Sequence, residues 1–249
     1  MTRALPRISS LTTETFFDQY HDKIPFVYAG IADWPAMGKW TPAFFRDAYG
    51  AFPIRVRRYR QDSELSFIQQ VTVQWKRVSL RDYVELLSGV DDGTFEGPAL
   101  EWGIKEDYAL LGEQPELVSD LRFDDVLPGY AAEYANYLWI GGAGAVTGLH
   151  ADLVHINLLA HLHGTKVIEL YDPGQTERMY QKPDAPIQRG LYSAVNAYAP
   201  DYERHPLFRE ADPMIGELHP GDLLYIPSGW WHIVRSIDVT ISVNGVSLV

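Results

Sequence analysis

The sequence predicts a mainly β protein, a sandwich or barrel of short strands for which a jelly roll is the simplest closed solution. Two observations carry this. From about Asn136 onward, short runs rich in branched and aromatic residues follow one another: Tyr137 to Ile140, Val154 to Leu162, Lys166 to Tyr171, Asp222 to Ile226, Trp231 to Val234 and Val239 to Val246. Turn residues punctuate these runs at Gly141-Gly142, His163-Gly164, Asp172-Pro173-Gly174, Pro220-Gly221 and Ser228-Gly229.

The half before Asn136 mixes helices with strands. Thr41 is placed to N-cap a helix with Pro42 at its first position, running through Tyr49 to Gly50. Ser79 with Asp82 three residues on reads as a capping box, and Leu80, Tyr83, Leu86 and Leu87 then form one apolar stripe before Gly89. Pro25 to Ala29, Ile54 to Tyr59 and Ala99 to Ile104 read as strands around these helices. The segment from Gln175 to Pro213 is long, polar and interrupted by proline. It reads as an insertion between barrel strands, either a lid over a substrate or a packed surface excursion.

Bulk properties fit one unit, residues 1–249, with a helical and stranded N-terminal part (1–135) and a barrel core (136–249). A chain of 249 residues is long enough for one substantial core. Its 46% hydrophobic, 13% aromatic and 22% charged residues are those of an ordinary globular protein. A formal charge of −12 opposes nonspecific binding to phosphate backbones or anionic bilayers, so neither nucleic acid nor a membrane is an expected partner. The densest basic cluster, Arg55 to Arg60, reads as a solvated or salt-bridged strand edge rather than a nucleic-acid patch. Without cysteine there is no disulfide framework, thiolate zinc site or cysteine nucleophile. Met1 to Arg7 lead into a polar segment with no apolar run of signal type, so a cytoplasmic location is expected. Only five residues follow Asn244 (249 − 244), which leads us to expect a monomer.

The chemistry concentrates in Leu149-His150-Ala151-Asp152-Leu153. On a strand His150 and Asp152 point to one face while Ala151 points to the other, so both can reach one ion. A third ligand must come from a distant strand, and His232 offers one at the end of Tyr225-Ile226-Pro227-Ser228-Gly229-Trp230-Trp231-His232. Two histidines and one carboxylate on one face leave adjacent open positions, which suits non-haem Fe(II). A His-x-Asp pair alone is weak evidence; the surrounding sequence gives it weight. His155, His161 and His163 lack a carboxylate at matching spacing and read as structural. Gly141 to Gly144 lack the lysine and hydroxyl of a phosphate loop and read as a tight strand connection.

That surrounding sequence resembles the JmjC-domain oxygenases, a cupin-like group that contains protein hydroxylases. The stretches that carry the resemblance are Val146 to Asp152, Asn157 through Lys166, and Pro220 to His232 with Ser242-Val243-Asn244. The opening, Lys23 to Gly30 followed by Trp34-Pro35 and Trp40, is similar as well, so the likeness covers nearly the whole chain. It implies a double-stranded β-helix and a metal site of His150, Asp152 and His232 for Fe(II), with 2-oxoglutarate as cosubstrate. By the same resemblance Lys166 would pair with the distal carboxylate of 2-oxoglutarate and Thr147 would hydrogen-bond it. Asn157 and Asn244 would complete the polar wall. Thr240, Ser242 and Asn244 share one face of the last strand, and that face is expected to look into the barrel.

The family often places a tyrosine on the strand matching Pro98 to Ile104. None occurs there, and Tyr137 is the expected substitute. The implied activity is hydroxylation of a protein or peptide side chain, with succinate and carbon dioxide as coproducts. A small-molecule hydroxylase, an N-methyl-lysine or N-methyl-arginine demethylase and a noncatalytic cupin-like binding protein are the alternatives. Trp102, Glu101 and the Gln175 to Pro213 segment are the candidates for the substrate cleft, and at least one of Trp230 and Trp231 is expected to pack in the core.

Overall fold

A computed structural model of the chain describes residues 3–59, 75–90, 93–107, 109–128, 135–183 and 190–247. Among these residues the strands are, in chain order, β1 (Arg3–Ala4), β2 (Arg7–Ile8), β3 (Phe26–Tyr28), β4 (Pro53–Arg58), β5 (Trp75–Ser79), β6 (Trp102–Asp107), β7 (Ala135–Gly141), β8 (Val146–Asp152), β9 (Ile156–His163), β10 (Lys166–Tyr171), β11 (Gly190–Tyr192), β12 (Met214–Leu218), β13 (Leu223–Tyr225), β14 (Trp231–Ser236) and β15 (Thr240–Ser247). They form two sheets. One runs β1-β12-β10-β14-β8-β11 and the other β2-β3-β13-β9-β15-β7-β6-β4-β5. From β7 onward the chain crosses repeatedly between the two sheets, with β10, β11 and β12 together in the smaller one, the winding of a jelly roll, and the N-terminal strands β2 to β6 extend the larger sheet at both ends.

Both helix starts follow the local chemistry of the sequence. The Thr41 side chain accepts the Phe44 N–H at the head of the Pro42–Tyr49 helix. Ser79 and Asp82 exchange both bonds of a capping box at the head of Leu80–Leu87. The buried faces of these helices, with Phe45, Leu80, Tyr83 and Val84, pack on the outer face of the larger sheet against Leu138, Ile140, Ile241 and Val243. Tyr83 ties the layers together by donating its hydroxyl to the carbonyls of Trp102 and Ile140. Its burial raises the phenol far above the ordinary range, so it stays neutral.

The inner faces of the two sheets meet over Leu159, Ile168, Leu170, Leu224, Ile226 and Trp230. A third cluster lies outside the smaller sheet, where Leu149, Ala151, Trp231 and Ile233 pack against Met179, Val195 and Phe208. The latter three come from the 175–213 segment. The described part of that segment is therefore a packed excursion: it covers the sheet, adds β11 to its edge, and Trp231 donates its indole N–H to Thr176. Both Trp230 and Trp231 are buried.

Most strand boundaries differ from expectation by one or two residues, as at Ala135–Gly141 and Trp231–Ser236. Ala99–Glu101 forms a 3-10 turn after Pro98, and β6 begins only at Trp102. Val154 lies outside β9, which starts at Ile156. In the basic cluster Arg58 pairs with Glu96 and Glu101 and Arg55 stacks on Trp75, while Arg60 lies outside the described residues.

Candidate metal centre

His150 and Asp152 lie on β8 and His232 on β14, its neighbour in the smaller sheet, where His150 and His232 are direct register partners. One potential ligand atom from each of the three lies within 4.8 Å of the others, and the cluster could hold a metal ion. The Nε2 atoms of His150 and His232 each stand 3.8 Å from a different oxygen of Asp152. Each ring is oriented through its other nitrogen: Nδ1–H of His150 donates to the Gly148 carbonyl (2.8 Å) and that of His232 to the Trp230 carbonyl (3.0 Å). Those bonds put the proton on Nδ1 and leave the Nε2 lone pairs facing the carboxylate, the tautomer a metal requires. Asp152 is held in turn by the Asn157 amide (2.8 Å), and Asn157 accepts the Asn244 amide (2.5 Å).

A bulge decides which other side chains join this face. His232 stands opposite His150 but Val234 stands opposite Thr147, so Gly148 and Leu149 of β8 share the span of Ile233 on β14. In a regular strand Thr147 would face outward with Leu149 and Ala151. With the extra residue it faces the cavity together with His150 and Asp152.

The cavity itself is about 240 Å³. His150, Asp152, His232, Thr147, Lys166, Asn157, Asn244 and Tyr137 all line it, so the structure brings together every residue expected to hold the metal or the cosubstrate. Apolar walls come from Val154, Leu159, Ile226, Val234 and Val246, and two further aromatics, Trp139 and Tyr192, complete it. Sequence reasoning missed both. Trp139 was within reach of it, being two residues from Tyr137 on one strand, whereas Tyr192 depends on β11 pairing with β8 opposite His150. The cleft candidates Trp102 and Glu101 are not part of this cavity. Trp102 is buried in the N-terminal core with its N–H on the Glu96 carbonyl, and Glu101 is paired with Arg58.

Lys166 is the electrostatic anomaly. Its side chain is buried, and no hydrogen-bond or ion-pair partner for it is found among the described residues. Burial alone pushes its ammonium from the ordinary 10.5 down to about 7. His161, deeper in the barrel, has both nitrogens engaged: Nε2–H donates to the Gly164 carbonyl and Nδ1 accepts from Ser242. Burial, then the nearby Lys166 charge, lower it to about 3, so it is neutral and offers Lys166 no counter-charge. The structural role expected of His161 agrees with these bonds.

A jelly roll that gathers two histidines and one carboxylate at one end of its cavity defines the class, a cupin-type metal protein. The chain belongs to the cupin-like domain family, which matches residues 12–245, and it is of the JmjC type. Members of the JmjC family use Fe(II) and 2-oxoglutarate. The chain is 28% identical to human (Homo sapiens) HSPB1-associated protein 1 over 225 residues, which is 86% of this chain and 45% of the human protein. Lysine-specific demethylase 8 of Danio rerio is 30% identical over an alignment of 254 residues, 98% of this chain and 58% of that protein. Lysine-specific demethylase JMJ30 of Arabidopsis thaliana is 28% identical over 248 residues, 95% of this chain and 53% of that protein. The chain spans about half the length of the curated relatives it matches.

Proposed function

We propose that this protein is an Fe(II)- and 2-oxoglutarate-dependent oxygenase that hydroxylates a side chain of a protein or peptide. The observation that carries the reading is Lys166: a buried ammonium with no counter-anion among the described residues, on the wall of the cavity that holds the His150, Asp152 and His232 cluster. A buried charge of this kind calls for a partner, and a ligand carboxylate would supply it.

In this reading His150, Asp152 and His232 hold Fe(II). Asn157 keeps Asp152 turned toward the ion and Asn244 keeps Asn157 in place. Lys166 and Thr147 receive the distal carboxylate of 2-oxoglutarate, with Tyr137 on the same wall. Iron and 2-oxoglutarate, when bound, supply oxidative decarboxylation coupled to oxygen transfer from dioxygen. Leu159, Ile226, Val234 and Val246 keep water from the reacting centre. Tyr192, stacked parallel to His150 with ring centroids 6.2 Å apart, brings the 175–213 excursion to the edge of the cavity, which gives that segment a hand in receiving the substrate.

The names of two relatives favour a second reading, oxidation of an N-methyl group on lysine. The two reactions share the same oxygen transfer and differ in product, since a hydroxylated N-methyl carbon leaves as formaldehyde. The test begins with anaerobic addition of Fe(II) and 2-oxoglutarate, which should produce a visible metal-to-ligand charge-transfer band in the wild-type protein and not in Lys166→Ala. A peptide library with and without methyl-lysine then separates the activities. A mass gain of one oxygen supports hydroxylation, and formaldehyde release replaces it with demethylation. Absence of the band in wild type would remove the oxygenase reading altogether.

A further inference from the structure

The indole nitrogen of Trp139 is buried and has no hydrogen-bond partner among the described residues. An N–H withdrawn from water and left unmade is expensive, so such a group in a binding cavity marks a place where a ligand or water accepts it. Trp139 faces inward on β7 together with Tyr137, while Leu138 and Ile140 between them face the N-terminal core. It lies opposite Ser242 of β15, one step along the barrel from the Tyr137 and Asn244 pair. Trp139, Thr147, Lys166 and Val234 line both the main cavity and a small recess beyond it, so they form the partition between the two spaces. Trp139 and the charged Lys166 on that partition therefore have no partner among the described residues.

The position where related hydroxylases carry a tyrosine offers no donor here. On β6 the aromatic residue is Trp102, and its N–H is already given to the Glu96 carbonyl in the N-terminal core. We propose that Trp139 supplies a further neutral donor, its indole N–H binding the distal carboxylate of 2-oxoglutarate beside Lys166 and Thr147. The inference rests on the cosubstrate reading above and adds a residue to it. An ammonium and an indole are both donors and neither accepts. The pair therefore selects a ligand ending in an acceptor, an ionised carboxylate, over one ending in a carboxamide or one that ends short.

The competing acceptor is water. The recess of about 20 Å³ has room for a single molecule, with the hydroxyls of Ser236 and Thr240 on its wall. Isothermal titration of the full chain loaded with redox-inert Mn(II) separates the two. Loss of a hydrogen bond to a charged group should weaken 2-oxoglutarate roughly ten- to hundredfold in Trp139→Phe. Pyruvate, which lacks the distal carboxylate, and Mn(II) itself should bind that variant as they bind wild type. Unchanged 2-oxoglutarate affinity would assign the N–H to water and overturn the proposal, as would equal weakening of pyruvate, which signals a packing role. A second readout needs no variant. In wild-type protein with 15N-indole tryptophan, one N–H resonance should move downfield on adding 2-oxoglutarate and stay in place with pyruvate. If no indole resonance responds, the proposal fails even where Trp139→Phe misfolds. If wild type binds no 2-oxoglutarate, the cosubstrate reading falls first and this inference with it.

Discussion

The uncompensated charge on Lys166 makes the affinity for 2-oxoglutarate depend on pH. Burial holds its ammonium at about 7 instead of 10.5, a penalty on the charged form on the order of 5 kcal/mol. The folded protein gives up this proton near neutrality while the unfolded chain keeps it to about 10.5. The penalty is therefore fully present below about pH 7 and fades as pH rises toward 10.5, so folding stability increases across that window. Ligand binding runs the other way. A carboxylate beside the nitrogen favours the ammonium, so above neutrality each binding event must first take up a proton. With a free-protein value of about 7, affinity should be about tenfold weaker at pH 8 than below neutrality, and about a hundredfold weaker at pH 9. Anaerobic calorimetry on the Mn(II)-loaded protein, repeated in buffers of different ionisation enthalpy, measures both the affinity and the proton uptake, which should approach one proton per ligand at pH 8. Lys166→Met keeps the metal ligands and should bind weakly with no such slope, and without ligand it should be more stable than wild type below neutrality. A wild-type affinity that is flat from pH 6 to 9, or a slope that persists in Lys166→Met, would refute the argument.

His232→Ala should lower Mn(II) affinity at least a hundredfold, read from the free-ion resonance signal, with an unchanged circular dichroism spectrum. Asn157→Leu removes the donor that orients Asp152 and should weaken the metal about ten- to a hundredfold while leaving a folded barrel; unaltered metal affinity would show that Asp152 needs no such support. Gly164→Ala tests the turn ahead of Lys166. Gly164 has φ +75° and an added Cβ would sit 2.2 Å from the Val239 carbonyl oxygen, so a loss of about 3 kcal/mol or more is expected in denaturant unfolding.

What the sequence disclosed and what it concealed divide along physical lines. The caps at Thr41 and Ser79 were legible because their bonds close over three residues and depend on residue type alone. His150 and Asp152 were legible as a pair because strand parity fixes their common face. Lys166 to Tyr171 was predicted to the residue, since Gly164 before it and Asp172-Pro173 after it set both ends. The failures depend on partners far along the chain. β1 and β2 are two-residue strands that exist only through pairing with β12 and β3. The excursion conceals Met179, Val195 and Phe208 within polar sequence, so its packing could not be told from a lid. Asn157 was read as cosubstrate wall, and it does line the cavity, but its amide is spent on Asp152, a bond that needs the end of β8 beside the start of β9.

The register shift between β8 and β14 also bears on how this gene can change. Substitutions at Gly148 or Leu149 alter one side chain each. Deletion of a single codon there would restore regular pairing and leave Thr147 two positions from His150, still opposite Val234 and still on the cavity face. The strand would remain paired and the pocket wall would keep its hydroxyl. Length variation at this point of β8 is thus a change that a barrel of this kind could absorb in one mutational step without turning its cavity residues through the sheet.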